Sequence, residues 1–329
     1  MRLKVPRGTR DLVPDEIRSW YYLEEKLHEV AQNYGYEEIR TPVFEYTKVF
    51  SRSVGEDTDI VAKEMYSFKD RGGRDIALRP EGTAAIVRAY LEHRFDALPQ
   101  PVKLYYYGPM FRHDNPQFGR YRQFFQFGVE CFGTEQPAAD VEVICLARDF
   151  LEAIKLDKTT LLLNSVGCPA CRPVYQERLL GYLAPYREKL CSFCRVRFES
   201  NPLRILDCKK GSCRELFRDA PEITFNLCDD CKVHFETVQN YLINLGVDFK
   251  VDPGLVRGLD YYTRTAFEFV TDNLGAQNSI GGGGRYDNLV EVLGGEHTPA
   301  VGVAMGIDRI LLLLKDRTPE GENRARVFV

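Results

Sequence analysis

Apolar and polar positions along the chain alternate between two periods, and the change from one to the other marks out its elements. Ile17, Trp20, Tyr21, Leu27, Val30 and Ala31 recur at three- and four-residue spacing, which predicts an amphipathic helix stopped by Gly35. The run YEEIRTPVFEY that follows has strand character, and Pro42 within it suits an edge or the start of a new segment. Residues 75–94 read as a short strand, a turn at Arg79-Pro80-Glu81-Gly82-Thr83 and a helix from Ala84. Strands at 102–108 and 124–132 enclose a polar loop at 112–123 and form a long hairpin. A helix over 138–154 and a buried strand at 161–167 come next, then a helix over 234–245. Strand patterns return at 256–270, 281–287 and 301–314.

This order of helices and hairpin strands predicts an α+β fold, an antiparallel sheet flanked by helices. Between 168 and about 235 the texture changes, and eight of the ten cysteines lie there among charged helical segments. Residues 168–250 are therefore expected to form a mainly helical inserted domain, splitting a larger domain into 1–167 and 251–315. Residues 316–329 read as a linker and the opening of a further domain.

Composition narrows the partners. The apolar and charged fractions are those of a globular protein, the N-terminus has no apolar signal segment, and the ILLLL run is too short to span a bilayer. These features predict a cytoplasmic protein with no membrane partner. A formal net charge of −4 excludes a general nucleic-acid coat but leaves room for a local basic patch. There is no Walker-type GxxxxGK[ST], so any nucleotide must be held by other means.

The hairpin carries the chemistry. On its second strand Phe125, Phe127, Val129 and Cys131 share a face, which reads as core; Phe124, Gln126, Gly128 and Glu130 share the other. An aromatic ring, an amide, a gap and a carboxylate make a floor for a small polar ligand, with Gly128 leaving room for it. Arg112, His113, Arg120 and Arg122 in the preceding loop suit phosphate oxygens, which guanidinium forks match in geometry. An ordinary half-exposed strand with a solvated loop would show much of the same pattern.

The run FRHDNPQFGRYRQFFQFGVE resembles motif two of class II aminoacyl-tRNA synthetases in its histidyl form. GTRDLVP, the Pro42 segment (similar to motif one, a dimer element), LRPEGTAAIVR, RGLDYYTRTAFE, GGGGRYD and GVAMGIDR (similar to motif three) extend the resemblance to histidyl-tRNA synthetases over nearly the whole chain. RGLDYYT is the most specific, because the general class II motifs lack it. The resemblance implies a class II synthetase-like sheet in a homodimer, with the anticodon-binding domain beyond the linker. It implies activation of L-histidine by ATP with Mg²⁺, followed by transfer to tRNA(His). Arg112, Asp114, Arg120, Phe124 and Arg309 would bind ATP, with Phe124 stacking on adenine and Asp114 standing where the family usually has Glu. Glu81 and Thr83 would take the substrate ammonium, and Gln126 and Arg257 its carboxylate. Glu130 and Tyr262 would hold the imidazole, and Tyr261 and Tyr286 would wall the pocket. Gly283 and Gly284 would let backbone approach the ligand. Arg257, with Arg112, would be catalytic.

Cys168-x2-Cys171, Cys191-x2-Cys194, Cys208-x4-Cys213 and Cys228-x2-Cys231 are four close pairs, enough for two closed zinc sites of unspecified pairing. Such sites are expected to lie away from the chemistry. Free thiols are the alternative. Cys131 and Cys145 read as core, and His28 and His234 as helix or surface residues without a role. A competing reading of the whole chain is a non-catalytic histidine-binding paralogue that regulates an ATP phosphoribosyltransferase. It would be expected to lose parts of these motifs, yet Arg112, Arg120, Arg257 and Arg309 are all present.

Overall fold

The computed structural model describes residues 3–55, 58–115, 119–208, 210–274 and 278–314, so the expected linker at 316–329 lies outside them. The strands are β1 (Glu37–Glu38), β2 (Phe44–Tyr46), β3 (Ser67–Lys69), β4 (Asp75–Leu78), β5 (Val102–Phe111), β6 (Gln123–Phe132), β7 (Thr160–Ser165), β8 (Lys250–Val251), β9 (Thr263–Val270), β10 (Ser279–Arg285) and β11 (Ala300–Gly306). The main helices are α1 (Pro14–Asn33), α2 (Thr47–Val54), α3 (Thr83–Glu92), α4 (Pro137–Ala153), α5 (Cys171–Leu183), α6 (Ser192–Ser200), α7 (Gly211–Phe217), α8 (Asp229–Asn244), α9 (Leu289–Val292) and α10 (Ile307–Leu314).

Eight strands form one sheet in the order β1-β5-β6-β11-β10-β9-β7-β8. Its six central strands are antiparallel, as expected; the short edge pairs β1–β5 and β7–β8 are parallel and make the sheet mixed. The Pro42 segment divides between two sheets. β1 edges the large one, and β2 edges a three-stranded sheet of order β2-β4-β3.

Two layers cover the large sheet. On one face α1, α4 and α8 bury Trp20, Leu27, Ile144, Phe150, Phe235 and Leu242 against Phe127, Val129, Phe267 and Val303. Cys131 and Cys145 belong to this core as expected, whereas Tyr21 is 64% exposed and Leu23 takes its place on the apolar stripe. On the other face α3 packs Ile86 and Tyr90 against Tyr106, Phe132 and Tyr286. Residues 175–223 have a separate small core built on Tyr175, Leu179, Leu183 and Ile205.

Three expectations need correction. The 256–270 run is a strand only from Thr263; residues 256–262 are an irregular loop. The 301–314 run is a strand only to Gly306 and continues as helix α10, whose apolar ILLLL run packs in part on the sheet. The histidines also do more than sit on helix surfaces. His234 is buried, with Nε2 3.2 Å from Asp140 Oδ1, and His28 Nδ1 lies 2.9 Å from the Tyr105 hydroxyl. Asp140 pairs with the fully buried Arg285, which also donates to Asp287. Burial opposes the Asp140 charge, but Arg285 and His234 outweigh it and hold the carboxyl down at about 2. Among the described residues no helix is long and apolar enough to cross a membrane.

Candidate active site

β6 places Glu130 in the middle of the sheet, 1% exposed. Tyr286 donates its hydroxyl to Oε2, and Thr83, at the start of α3, donates to Oε1 at 2.7 Å. Burial pushes the Glu130 carboxyl up to about 8 against those two donors, and the nearby Glu81 adds to the shift. Glu81 caps α3, accepting the Thr83 and Ala84 amides at 2.8 and 3.0 Å, and its own carboxyl is raised by burial. The Tyr261 ring bridges Tyr262 and Tyr286, with centroids 4.7 and 5.6 Å away. Burial raises the Tyr261 and Tyr286 hydroxyls well above the ordinary range, so both stay neutral, and Tyr286 donates to Glu130.

The glycines make room for protein rather than ligand. Tyr106 faces Gly128 across the hairpin, and a Cβ on Gly128 or Gly82 would lie 2.3 or 2.2 Å from its ring. The gap read into Gly128 is therefore filled. A Cβ on Gly283 would strike the Gly302 carbonyl oxygen at 1.9 Å, and one on Gly284 the Thr265 carbonyl oxygen at 2.3 Å, so these residues serve strand packing.

Arg257 leans over Gly282, its guanidinium 5.9 Å from the Tyr262 ring centroid. Its Nη1 donates to Glu268 at 2.7 Å; burial works against the charge and Glu268 outweighs it. Ser279 donates to the same Glu268 oxygen, and Arg309 Nη1 donates to the Ser279 carbonyl at 2.6 Å. One hydrogen-bonded line thus runs from Arg257 to Arg309. Three buried polar atoms on this face, Arg257 Nε, Gln126 Oε1 and the Tyr106 hydroxyl, have no partner among the described residues.

Arginines crowd the other end. Arg112 donates to the Pro80 carbonyl at 2.8 Å and lies 5.3 Å above the Phe124 ring, and Arg120 pairs with Asp114 at 2.5 Å. Burial, then the charges of Arg120 and Arg112, depress the Arg309 guanidinium below its ordinary value. Like charges held together in a partly dry cleft call for an anion.

The cysteines gather into two sets: Cys168, Cys171, Cys228 and Cys231, and Cys191, Cys194, Cys208 and Cys213. Within each set the sulfurs all lie within 4.8 Å of one another. The Cys228 amide donates to Cys171 Sγ at 3.1 Å and the Cys191 amide to Cys213 Sγ at 3.4 Å. Tetrahedral zinc with Zn–S bonds of about 2.3 Å needs sulfurs at this spacing. Burial opposes ionisation of Cys168 and Cys191, but hydrogen bonds from neighbouring backbone and thiols bring each down to about 7. The first set is not away from the candidate pocket. Arg172, next to Cys171, donates to the carbonyl of Tyr262.

The chain is 58% identical to the histidine–tRNA ligase of Desulforamulus reducens over 93% of its own length and 73% of the relative's. It is 56% identical to that of Moorella thermoacetica, over 96% and 76%. The histidyl-tRNA synthetase family model matches residues 8–169 and 214–310. The chain belongs to the histidyl-tRNA synthetase family. Among solved structures, the apo histidyl-tRNA synthetase of S. aureus superposes with a TM-score of 0.78 at 43% identity, covering 95% of this chain and 74% of that one. A protein from Bacillus halodurans C, described as an ATP phosphoribosyltransferase regulatory subunit/histidyl-tRNA synthetase, has a TM-score of 0.70 over 95% of this chain and 84% of its own. Its 24% identity shows a shared fold and no more.

Membership of the histidyl-tRNA synthetases accounts for the catalytic sheet, but the family model leaves 170–213 unmatched, and the whole second thiolate set lies there. Besides Tyr106 and Arg172, four residues of the site were not singled out from the sequence. Glu268 and Ser279 join Arg257 to Arg309. Gly302 opposes Glu130 in register, and a Cβ there would come within 1.8 Å of Glu130 Oε2. Arg10 lies 4.9 Å from the Tyr121 ring centroid, pairs with Glu16 at 2.6 Å and reaches Asp308 at 3.5 Å, bracing the N-terminal segment against the hairpin loop and α10. Glu268, Gly302 and Arg10 lie inside the quoted motifs, where spacing alone gave them no distinct role.

Proposed function

We propose that this face of the sheet activates L-histidine with ATP and Mg²⁺, releasing pyrophosphate, and passes the histidyl group to the 3′ end of tRNA(His). The observation that carries the amino-acid assignment is Glu130, a buried carboxylate oriented by Tyr286 and Thr83 at the end of an aromatic-walled pocket. Such a group selects a small ring bearing an N–H, and imidazole fits. Glu81 lies near enough to attract the substrate ammonium. The unpartnered atom of Gln126 is an acceptor, so it too suits the ammonium as it stands; the carboxylate would need the opposite amide orientation. Tyr262 contributes its ring beneath Arg257, leaving Tyr286 as the hydroxyl partner of Glu130.

Arg257, whose Nε is unpartnered, would take the substrate carboxylate and the α-phosphate. Arg112 would take the α-phosphate, Arg309 and Arg120 the outer phosphates, and Phe124 the adenine face. A histidine carboxylate oxygen attacks the α-phosphorus and pyrophosphate leaves in line. The tRNA ribose hydroxyl then attacks the acyl carbon and AMP leaves. No protein nucleophile is required, so positioning and charge stabilisation provide the rate. Histidine-dependent exchange of labelled pyrophosphate into ATP tests this reading. Exchange with histidine and not with other amino acids supports it, and none would leave the regulatory paralogue.

The two thiolate sets are proposed as structural zinc centres, since eight sulfurs already sit at ligand spacing with amides donating to them. A catalytic body with an insertion, a homodimer formed through the Pro42 region, and a reducing cytoplasmic setting complete the proposal. The insertion ends before α8 and not at the expected residue 250, because Phe235 and Leu242 of α8 pack on the main sheet and β8 belongs to it.

A further inference from the structure

Residues 256–262 carry Arg257, Tyr261 and Tyr262, yet they have no strand partner to fix their course. Two arginines from the cysteine-rich segment grip this loop. Arg172 immediately follows Cys171; its Nε donates to the Val166 carbonyl at 3.1 Å and its Nη2 to the Tyr262 carbonyl. Arg204 lies between Cys194 and Cys208; its Nη2 donates to the Gly258 carbonyl, and its Nε is 3.4 Å from Asp260 Oδ1. Asn201 adds a donor to the same Asp260 oxygen at 2.9 Å. The two gripped carbonyls bracket the pocket-forming stretch, one just after Arg257 and the other at Tyr262.

We propose that Arg172, which follows Cys171 of one thiolate set, and Arg204, which lies between Cys194 and Cys208 of the other in sequence, are positioning residues for the amino-acid pocket. The cysteine-rich segment then acts on histidine binding through the 256–262 backbone, without contributing a side chain to the substrate. The geometry favours an effect on histidine over ATP. Arg112, Arg120, Phe124 and Arg309 belong to the hairpin, its loop and α10, whereas among the described residues the Arg172 and Arg204 side chains bond to Val166, Gly258, Asp260 and Tyr262. Each guanidinium–carbonyl contact is charge-assisted, the stronger class of hydrogen bond.

The proposal rests on the 256–262 loop belonging to the histidine subsite, so Arg257→His is measured alongside. In the full chain, Arg172→Gln and Arg204→Gln are expected to weaken histidine binding by about tenfold each in calorimetric titration, while ATP affinity stays within about twofold. Amide hydrogen exchange over 256–264 should quicken without histidine, and zinc content by elemental analysis should match the parent. Arg172→Lys, which keeps the charge but has a single donating nitrogen, should recover part of the loss. Parental histidine affinity in both Gln variants, or an equal loss for histidine and ATP, overturns the positioning role. If Arg257→His also activates histidine at the parental rate, the subsite reading falls instead. If the parent holds no zinc but the Gln variants still lose histidine selectively, the arginine arms stand and the metal reading falls.

Discussion

Glu130 is held where a carboxylate is least comfortable. Its ordinary value of 4.5 is raised by burial to about 8, so folding favours the neutral acid. A group raised in the folded state contributes stability below its unfolded value, and that contribution is lost as pH rises through the folded one. The stability of the ligand-free protein should therefore fall between about pH 4.5 and 8 on account of this residue. Glu130→Gln removes the titration and keeps the shape. Its melting temperature should rise relative to the parent as pH goes from 6 to 8, while histidine binding weakens by about 1.5–3 kcal/mol and ATP binding holds. Melts across that range and histidine KM values check both, and an unchanged KM would remove Glu130 from the subsite. Arg257→His should leave the melt near the parent's and slow adenylate formation by about 10²–10³-fold in single-turnover assays, the scale of losing a preorganised charge at the reacting group. Alternation along β6 was enough to put Gln126 and Glu130 on one face. It could not reveal that Tyr106 fills the space over Gly128, or that Tyr286 reaches Glu130, because both side chains arrive from other segments.

Elements whose pattern repeats within a few residues were legible. The hairpin, α1, α3 and α4 lie within a few residues of their expected bounds, and Pro42 does separate two edge strands. The 256–262 stretch misled because its aromatic, β-prone residues look like a strand, whereas its carbonyls bond to arginines distant in sequence. Cysteine spacing showed the close pairs but not their partners. The second set is nested between the halves of the first, an order that only folding exposes. With one or both centres loaded, elemental analysis should find between one and two zinc ions per chain. Removing the metal with a chelator should loosen 168–235, seen as faster hydrogen exchange and a lower melting temperature, since closed thiolate sites contribute folding energy directly. A protein without metal whose eight thiols react freely, and whose cysteine-rich segment is equally protected, would show the sets to be incidental.

At the scale of the whole molecule, the small sheet leaves an apolar face uncovered. Phe44 and Tyr46 project from one side of β2; Tyr46 and Phe68 flank Ile76 across the three strands. Phe44 is 55%, Tyr46 45% and Phe68 51% exposed, although the strands they occupy are short and paired. Three exposed aromatic side chains on one small sheet are the kind of surface that suits a contact. Its place next to the Pro42 segment suits a two-fold interface in which the same patch meets itself. The same sheet leads directly into the pocket, because β4 runs through Arg79 and Glu81 to α3, whose first residue holds Glu130. Pairing of two chains would therefore stiffen the floor from behind. Sedimentation at micromolar concentration should give a dimer, and Phe44→Glu with Phe68→Glu should shift it toward monomer and lower pyrophosphate exchange along with the dimer fraction. A parent chain that sediments as monomer throughout would assign the patch another role, and full exchange by the monomeric variant would show that each pocket stands alone.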